Sequence, residues 1–372
     1  MLYPWPLLLA LVASFFFFFS FQSLFSTFPL FLKGLGGGAV FIGAAQGSFA
    51  LTAILFRPLA GWLSDRAGRK AGLILGSVIF TLSMLLYCFV EDLESLLLLR
   101  AFHGTGIAFF TTSFIAFISD LAPSEKRGEI MGIGGISAPV SLLLAPLLGD
   151  WLASGGNFQR LFLASFCFGA LSLALTLFLP ETFRSSEQIR ESGTLSNIGN
   201  LILLTGALGV SYGAVISFLP IFTAEKGLGP AGLFFSLFSL MLLPSFIFGG
   251  KLSDKAGRHK VAIPAATLIT LAMALLPLIR SRLYLALSAL IYGLGYGALR
   301  PTIEASIADR VPPIARGRAL GFNYAGFDLG IGLGSVALGF LAQKWGYSSV
   351  YTASAAVIIL ATAIFTWEVL KC

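Results

Sequence analysis

The sequence predicts an all-α polytopic membrane protein in which twelve transmembrane helices form two pseudo-symmetric bundles of six. Three observations predict this fold class: the composition, the apolar runs along the chain and an internal repeat. Of the 372 residues, 57% are hydrophobic and only 11% are charged, whereas an ordinary soluble domain is about 25% charged. So few charges cannot cover so much apolar surface in water. The composition therefore excludes a cytosolic enzyme, a disordered chain and a disulfide scaffold.

The apolar runs are long enough for twelve spans. A helix needs about 20 mostly apolar residues to cross a bilayer, so twelve helices use about 240 residues and leave only short loops. The first run lacks the basic segment and the cleavage site of a signal peptide, which predicts a retained span. The predicted spans cover residues 7–32, 39–60, 71–90, 95–118, 129–151, 160–179, 198–222, 231–249, 261–279, 283–307, 319–342 and 348–370.

The longest polar segment separates the first six spans from the last six. It carries Glu181 and four further charged side chains, which predicts a solvated linker or an amphipathic surface helix. The predicted organisation is an N-terminal six-helix bundle at residues 1–180, a cytoplasmic linker at 181–197 and a C-terminal six-helix bundle at 198–372.

Lysine and arginine residues in the loops predict the orientation, because cytoplasmic loops are enriched in both. With both termini in the cytoplasm, the inner loops hold 15 of these residues and the outer loops hold 6. The remaining three, Arg57, Arg100 and Arg300, lie inside spans and complete the 24. The sequence therefore predicts a multi-pass protein of the inner (cytoplasmic) cell membrane with both termini inside. Because the positive charges form no basic tract, nucleic acid is not expected as a partner.

An internal repeat relates the two groups of spans. Segment 61–69, GWLSDRAGR, matches segment 250–258, GKLSDKAGR, at an offset of 189 residues. Such duplication is typical of secondary transporters, whose sites lie near the membrane midplane between the repeats. The same offset pairs residues in other segments: Gly104 with Gly293, Gly106 with Gly295, Asp120 with Asp309, Pro123 with Pro312, and Arg127-Gly128 with Arg316-Gly317.

These segments resemble signatures of the major facilitator superfamily. GWLSDRAGRK at 61–70 is similar to its G-x-L-a-D-r-x-G-r-k/r loop motif, and GKLSDKAGRHK at 250–260 is similar to a second copy. LLLRAFHGTG at 97–106 resembles the fourth-helix R-x-x-q-G motif, with His103 in the place of Gln. Three segments resemble the bacterial arabinose-efflux-like or multidrug-efflux-like permeases: RPLAGWLSDRAGRK, AGLFFSLFSL and FDLGIGLGSVALGF. The resemblance implies transport by alternating access between two bundles.

The same resemblance implies a conformational latch. Asp65 is expected to meet the start of the eleventh span and to hold the cytoplasmic side in the outward-facing state. Asp254 and Arg258 are expected to form a weaker mirror image near the fifth span. Both motifs are expected in short loops between helices, and an ordinary turn that carries cytoplasmic charges is the alternative. The latch candidates are Gly61, Asp65, Gly68, Arg69, Asp254, Gly257 and Arg258.

Charges inside spans are costly in lipid and predict functional positions. Arg300 and Glu304 are an i,i+4 pair on the tenth span. Asp328 lies 11 residues beyond Gly317, hence about 16 Å into the membrane, and Arg300 lies about 13 Å deep. The matched depths predict a pair in which the carboxylate takes up and releases a proton, and a permanent structural pair is the alternative. The proton-coupling candidates are Asp328, Glu304, Arg300, Arg100 and His103.

The fourth span supplies the last two of these candidates. The resemblance implies that Arg100 faces a cavity and helps coupling, while snorkelling to the outer surface is the alternative. His103 lies three residues further on nearly the same helix face. A histidine titrates near neutral pH, and a packed polar residue without a proton-carrying role is the alternative for His103.

Polar and aromatic residues on four spans predict the substrate cavity. The first and fourth spans hold no acidic residue in their interiors, which argues against a dedicated pump for cationic drugs. Three arginines against two carboxylates inside the spans favour an anionic or zwitterionic substrate. The cavity candidates are Gln22, Ser26, Tyr212, Tyr292, Tyr296 and Asn323.

The predicted function is proton-coupled export of a small amphipathic or anionic compound by a monomer in the lipid bilayer. No cofactor and no metal are expected, because the three cysteines have no metal-ligand spacing. The sequence contains no catalytic motif that would predict an enzyme. The alternatives are an uptake symporter or uniporter for a metabolite and, from another class, a non-transporting sensor or scaffold.

Overall fold

All regular secondary structure in the described residues is helical. A computed structural model describes residues 5–123, 126–183, 198–312 and 315–371. The α-helices are α1 Trp5–Gln22, α2 Phe28–Gly34, α3 Ala39–Arg66, α4 Arg69–Leu86, α5 Leu93–Leu121, α6 Arg127–Gly134, α7 Ser137–Leu152, α8 Phe158–Leu177, α9 Gly199–Glu225, α10 Gly232–Ala256, α11 Arg258–Leu275, α12 Arg282–Arg310, α13 Arg316–Trp345 and α14 Tyr347–Lys371.

Twelve helical segments in these ranges are long and apolar enough to cross a membrane. The prediction of twelve spans is therefore confirmed. The fifth of them runs from Glu129 to Leu152 and comprises α6 and α7. The short helix α2 follows the first span and is not counted among the twelve.

The first predicted span, residues 7–32, is not one continuous helix. Helix α1 ends at Gln22, and hydrogen-bonded turns precede α2. Pro29 has no backbone N–H for the helical bond to the carbonyl four residues earlier. The Ser23 hydroxyl donates to the Ser20 carbonyl at 2.9 Å, which gives the backbone a local alternative to the helix.

The fifth span bends at a glycine pair. Helix α6 ends at Gly134, and α7 begins at Ser137. Pro139 follows in the first turn of α7, and its ring is incompatible with the carbonyl of Gly135, four residues earlier. Glycine pairs and prolines are the usual causes of such bends.

The chain divides into two compact units, residues 1–36 with 48–187 and residues 37–47 with 188–372. In the first unit, α1 packs on α7 and α8, and α4 packs on α5 and α8. In the second unit, α9 packs on α13 and α14, α10 on α12, and α11 on α12 and α14. The predicted extent of the linker stays a prediction, because residues 184–197 lie outside the described chain.

Paired glycines explain part of the internal repeat. A Cβ on Gly104 would collide with the Phe49 carbonyl, and a Cβ on Gly293 would collide with the Phe238 carbonyl. All four residues obey the same 189-residue offset. Each glycine therefore permits the same close helix approach within its own unit.

Candidate functional site

One arginine joins three helices at the end of α3 in the first unit. Arg69, the first residue of α4, forms an ion pair with Asp65. Its Nε also donates to Asp120 Oδ2 at 2.9 Å, near the end of α5. The guanidinium thus holds the carboxylates of α3 and α5 against the start of α4.

The second unit repeats this arrangement. Arg258 forms an ion pair with Asp254, and its Nε donates to Asp309 Oδ2 at 2.8 Å. The repeat pairs Asp120 with Asp309, but sequence reasoning did not assign either residue to the latch. Their common offset from the arginines was the signal available.

The expectation that Asp65 and Asp254 lie in loops was wrong. Asp65 lies in the last turn of α3, and Asp254 lies in the last turn of α10. Each acid therefore meets its arginine across a very short link between two helices and not within one helix. Each link turns at a glycine with positive φ, +101° at Gly68 and +102° at Gly257.

Glu181 gives the first unit a contact that the repeat does not duplicate. Its carboxylate accepts the backbone N–H groups of Arg69, at 2.9 Å, and Lys70, at 3.1 Å. These amides belong to the first turn of α4, where a negative charge is favourable. The 189-residue offset places Leu370 at the matching position of the second unit. Sequence reasoning assigned Glu181 to a solvated linker and missed this contact.

Gly61 is the latch candidate with the least support from geometry. A Cβ built on it meets no described atom within 4 Å. Among the described residues, no close helix approach therefore requires glycine at position 61.

Arg300 lies at the centre of a cluster in the second unit. Its Nε is 3.3 Å from Glu304 Oε1, and its Nη1 donates to the Tyr296 hydroxyl at 3.4 Å. The guanidinium carbon lies 5.1 Å from the ring centroid of Phe327 and 5.7 Å from that of Tyr324. The side chains of Arg300 and Glu304 are 35% and 24% exposed. Both side chains of the pair are thus partly exposed.

The predicted cavity residue Tyr296 contacts this arginine, and Tyr212 and Tyr292 lie beside Tyr296. The Tyr212 ring lies 5.6 Å from the Tyr296 ring and 5.9 Å from the Phe327 ring. Tyr292 is fully buried, and its hydroxyl is 3.0 Å from Ser211 Oγ. The Arg300 guanidinium thus lies beside the carboxylate of Glu304 and beside aromatic rings. The faces of such rings attract cations and cover apolar groups.

Asp328 is half-buried on α13, directly after Phe327. It is one of the charges that act on the Tyr296 phenol. The carboxylate described beside the Arg300 guanidinium is that of Glu304. The pairing of Arg300 with Asp328 stays a prediction.

The remaining cavity candidates make contacts of their own. Asn323 is buried, and its Oδ1 accepts from the Thr205 hydroxyl at 2.6 Å, which joins α13 to α9. In the first unit, Ser26 donates to the Pro146 carbonyl at 3.0 Å. Gln22 is also buried, and its Oε1 has no hydrogen-bond partner among the described residues.

Arg100 and His103 form a second buried cluster, in the first unit. Nδ1 of His103 lies 3.0 Å from the Tyr87 hydroxyl and 3.4 Å from Arg100 Nη1. A guanidinium only donates, so the contact with Arg100 is a hydrogen bond in the tautomer that carries its proton on Nε2, an atom without a hydrogen-bond partner among the described residues. The Arg100 guanidinium also lies 4.7 Å from the Phe28 ring and 4.5 Å from the Phe49 ring. The five proton-coupling candidates are thus divided between clusters in the two units.

Known proteins identify the architecture. A model of the Major Facilitator Superfamily matches residues 10–281 and 201–370. The chain belongs to the major facilitator superfamily. It is therefore a transporter of the membrane and not an enzyme. The crystal structure of a bacterial homologue of the human lysosomal transporter Spinster, in an inward-facing and occupied conformation, shares the fold. Its TM-score is 0.85 at 16% identity, over 97% of this chain and 95% of that one.

Two relatives are exporters by name. The multi-drug resistance efflux pump PmrA of Streptococcus pneumoniae is 28% identical over 345 residues, covering 88% of this chain and 86% of the relative. The staphylopine export protein of Staphylococcus aureus is 25% identical over 380 residues, covering 96% of this chain and 94% of the relative.

Proposed function

We propose that the protein exports a small amphipathic compound with an anionic group, in exchange for protons, by alternating access of its two units. The observation that carries the substrate class is the Arg300 cluster. A guanidinium binds a carboxylate or phosphate, while the rings of Tyr212, Tyr296 and Phe327 cover an apolar body.

The direction is supported by the two relatives named as exporters, at 28% and 25% identity. The proposed location is the cytoplasmic membrane, with both termini inside. This orientation rests on the 15 basic residues of the inner loops against 6 of the outer loops.

The Arg300–Glu304 pair determines the sign of coupling for each kind of substrate. A simple anion binds Arg300 best when the competing carboxylate is protonated, so the proton and the anion bind together. That coupling drives symport. A zwitterion instead places its ammonium group on the carboxylate and its anionic group on Arg300, so the substrate and the proton exclude each other. That coupling drives antiport, and an amphipathic zwitterion is therefore the substrate class that fits export best.

Uptake of an anion by proton symport is the second candidate function. The specific observation that favours it is the 3.3 Å contact between Arg300 and Glu304, which protonation of Glu304 would release. The two functions predict opposite accumulation in a pH gradient, since an antiported substrate collects in the acidic compartment and a symported substrate in the alkaline one.

The test uses the purified protein in proteoliposomes with an acid lumen or an alkaline lumen. Zwitterionic, anionic, cationic and neutral aromatic compounds are offered in turn, and their uptake is measured with and without the gradient. We expect gradient-dependent accumulation of a zwitterionic compound in the acid lumen. Accumulation of an anion in the alkaline lumen supports the symporter. Gradient-independent equilibration of every transported compound contradicts proton coupling in either direction.

A further inference from the structure

A groove runs between α11 and α14 on the surface of the second unit. Its volume is about 430 Å³, within the range of about 300–1,000 Å³ typical of small-molecule sites. Ile359 and Trp367 in its wall are 56% and 64% exposed. The groove is lined chiefly by Thr267, Thr270, Ile359, Thr362, Thr366 and Trp367.

The threonine hydroxyls do not make this groove a polar site. Each donates its proton to a backbone carbonyl four residues earlier in its own helix, as threonine often does. The groove consequently offers methyl and aromatic surface and few free donors, which suits a hydrocarbon chain. The bonds are Thr267 to Ile263 at 2.9 Å, Thr270 to Ala266 at 3.0 Å, Thr362 to Ile358 at 2.7 Å and Thr366 to Thr362 at 2.8 Å.

One end of the groove is positively charged. Helix α11 begins Arg258-His259-Lys260 and has no acidic residue in its first turn. Lys260 is exposed and precedes Thr267 by seven residues. Seven residues are nearly two turns, so Lys260 lies on the groove side of α11, about 10 Å further along the axis. The helix N-terminus adds a partial positive charge there. Two acids of this end of the unit, Asp254 and Asp309, are held by Arg258, and the exposed Glu368 follows Trp367 on α14.

The first unit lacks most of the distinguishing residues, although Thr81 matches Thr270. The 189-residue offset places Ala71 at the position of Lys260 and Val78 at that of Thr267. The combination of Lys260 with Thr267 therefore occurs in one repeat only. On α14, the same offset matches Thr362 with Leu173, Thr366 with Leu177 and Trp367 with Phe178.

We propose that the groove binds one anionic phospholipid of the surrounding bilayer. One acyl chain lies along the threonine methyl groups, and the headgroup phosphate meets Lys260 at the start of α11. Trp367 lines the same groove, and tryptophan is enriched at membrane–water interfaces. Juxtamembrane basic residues attract anionic headgroups in the same way. In the proposed orientation this lipid belongs to the cytoplasmic leaflet.

Native mass spectrometry of the detergent-purified full chain tests the site. The protein is titrated with phosphatidylglycerol and, separately, with phosphatidylcholine of the same acyl composition. We expect one phosphatidylglycerol to bind more tightly than phosphatidylcholine. Lys260→Ala, which installs the residue of the first unit, should lower that preference about fivefold, the contribution of one lysine near a headgroup.

Two further variants separate the headgroup from the chain. Thr362→Leu with Thr366→Leu fills the groove with the side chains of the first unit and should weaken the binding of both lipids. Lys251→Ala removes an equally exposed charge from α10 and should leave the preference intact. Equal binding of both lipids to the wild-type protein overturns the proposal. So does a preference that survives Lys260→Ala, or unaltered binding to the filled groove.

Discussion

Arg300 has its acidic partner on its own helix, α12, and its aromatic partners Tyr324 and Phe327 on α13, so that one side chain joins the two helices. Its spacing from Glu304 predicted an i,i+4 pair, and the structure has the two side chains 3.3 Å apart. The rings of Tyr324 and Phe327 were not assigned to this pair, because they belong to α13. The spacing of residues along one helix predicts which of them share a face. It does not predict which face of another helix packs against that face. The partners within a helix were therefore predictable, and those across helices were not.

Asp328 and Glu304 are the carboxylates expected to carry the transported proton. If Asp328 carries it, Asp328→Asn should abolish accumulation driven by a pH gradient, because an amide cannot release a proton at the site. Exchange of internal for external substrate needs no net proton movement and should continue. The measurement compares gradient-driven uptake with counterflow in proteoliposomes, using Glu304→Gln as the matched variant. Wild-type, pH-dependent accumulation by Asp328→Asn would make that carboxylate structural.

His103 is expected to hold Arg100 in place through Nδ1, which accepts from Arg100 Nη1 at 3.4 Å. A proton on Nδ1 would break that contact, so the geometry favours a neutral ring. His103→Gln supplies an amide oxygen as the acceptor and thereby keeps the bond from the guanidinium, which is worth about 1.5–3 kcal/mol as a hydrogen bond of a charged group. It should therefore keep gradient-driven uptake within about twofold of wild type and preserve its pH profile. His103→Phe removes the acceptor and should reduce uptake. A shifted pH profile in His103→Gln would instead identify the imidazole as a proton carrier.

At the scale of helices, the sequence predicted which segments span the membrane but not where they break. The length of an apolar run can be read from the sequence alone, so the spans that form α9 and α12 were predicted without knowledge of the helices that pack against them. The end of α1 at Gln22 depends on serine hydroxyls that bond locally and on Pro29, signals that lie inside an uninterrupted apolar run. Glu181 likewise reads as part of a polar linker until its carboxylate is seen against the amides of α4.

The two arginine-centred ion-pair clusters, at the ends of α3 and α10, should differ in their effect on transport. The Asp65 cluster has the additional carboxylate of Glu181 at the start of α4, and the Asp254 cluster has Leu370 at the matching sequence position. Asp65→Asn should lower turnover about fivefold, the factor for an exposed ion pair of about 1 kcal/mol, and should leave substrate affinity unchanged. Asp254→Asn should have a smaller effect. Vmax and KM in proteoliposomes distinguish the two, and negligible effects of both substitutions would contradict a role as a latch.

At the scale of the whole molecule, the duplication was the most informative signal in the sequence. It predicted matching positions such as Gly104 and Gly293, and both permit the same close approach of a neighbouring helix. The chemistry that we propose rests on differences between the copies, since Arg300 and Lys260 have Thr111 and Ala71 as their counterparts. Comparison of the copies therefore separates residues that build the fold from residues that serve one unit.

The predicted orientation of the whole chain rests on its loop charges and can be tested without a substrate. The 15 basic residues of the predicted inner loops, against 6 in the outer loops, predict that the segment around Ser186 lies in the cytoplasm and that the exposed Glu91 lies outside. Cysteines are introduced as Ser186→Cys or Glu91→Cys in a background that lacks the three native cysteines. In intact cells, an impermeant thiol reagent should label Glu91→Cys alone, and in inside-out vesicles Ser186→Cys alone. A permeant reagent should label both variants, which would show that each introduced thiol is reactive. Labelling of both variants from the same side would contradict the odd number of spans between them, and an exchange of sides would invert the orientation.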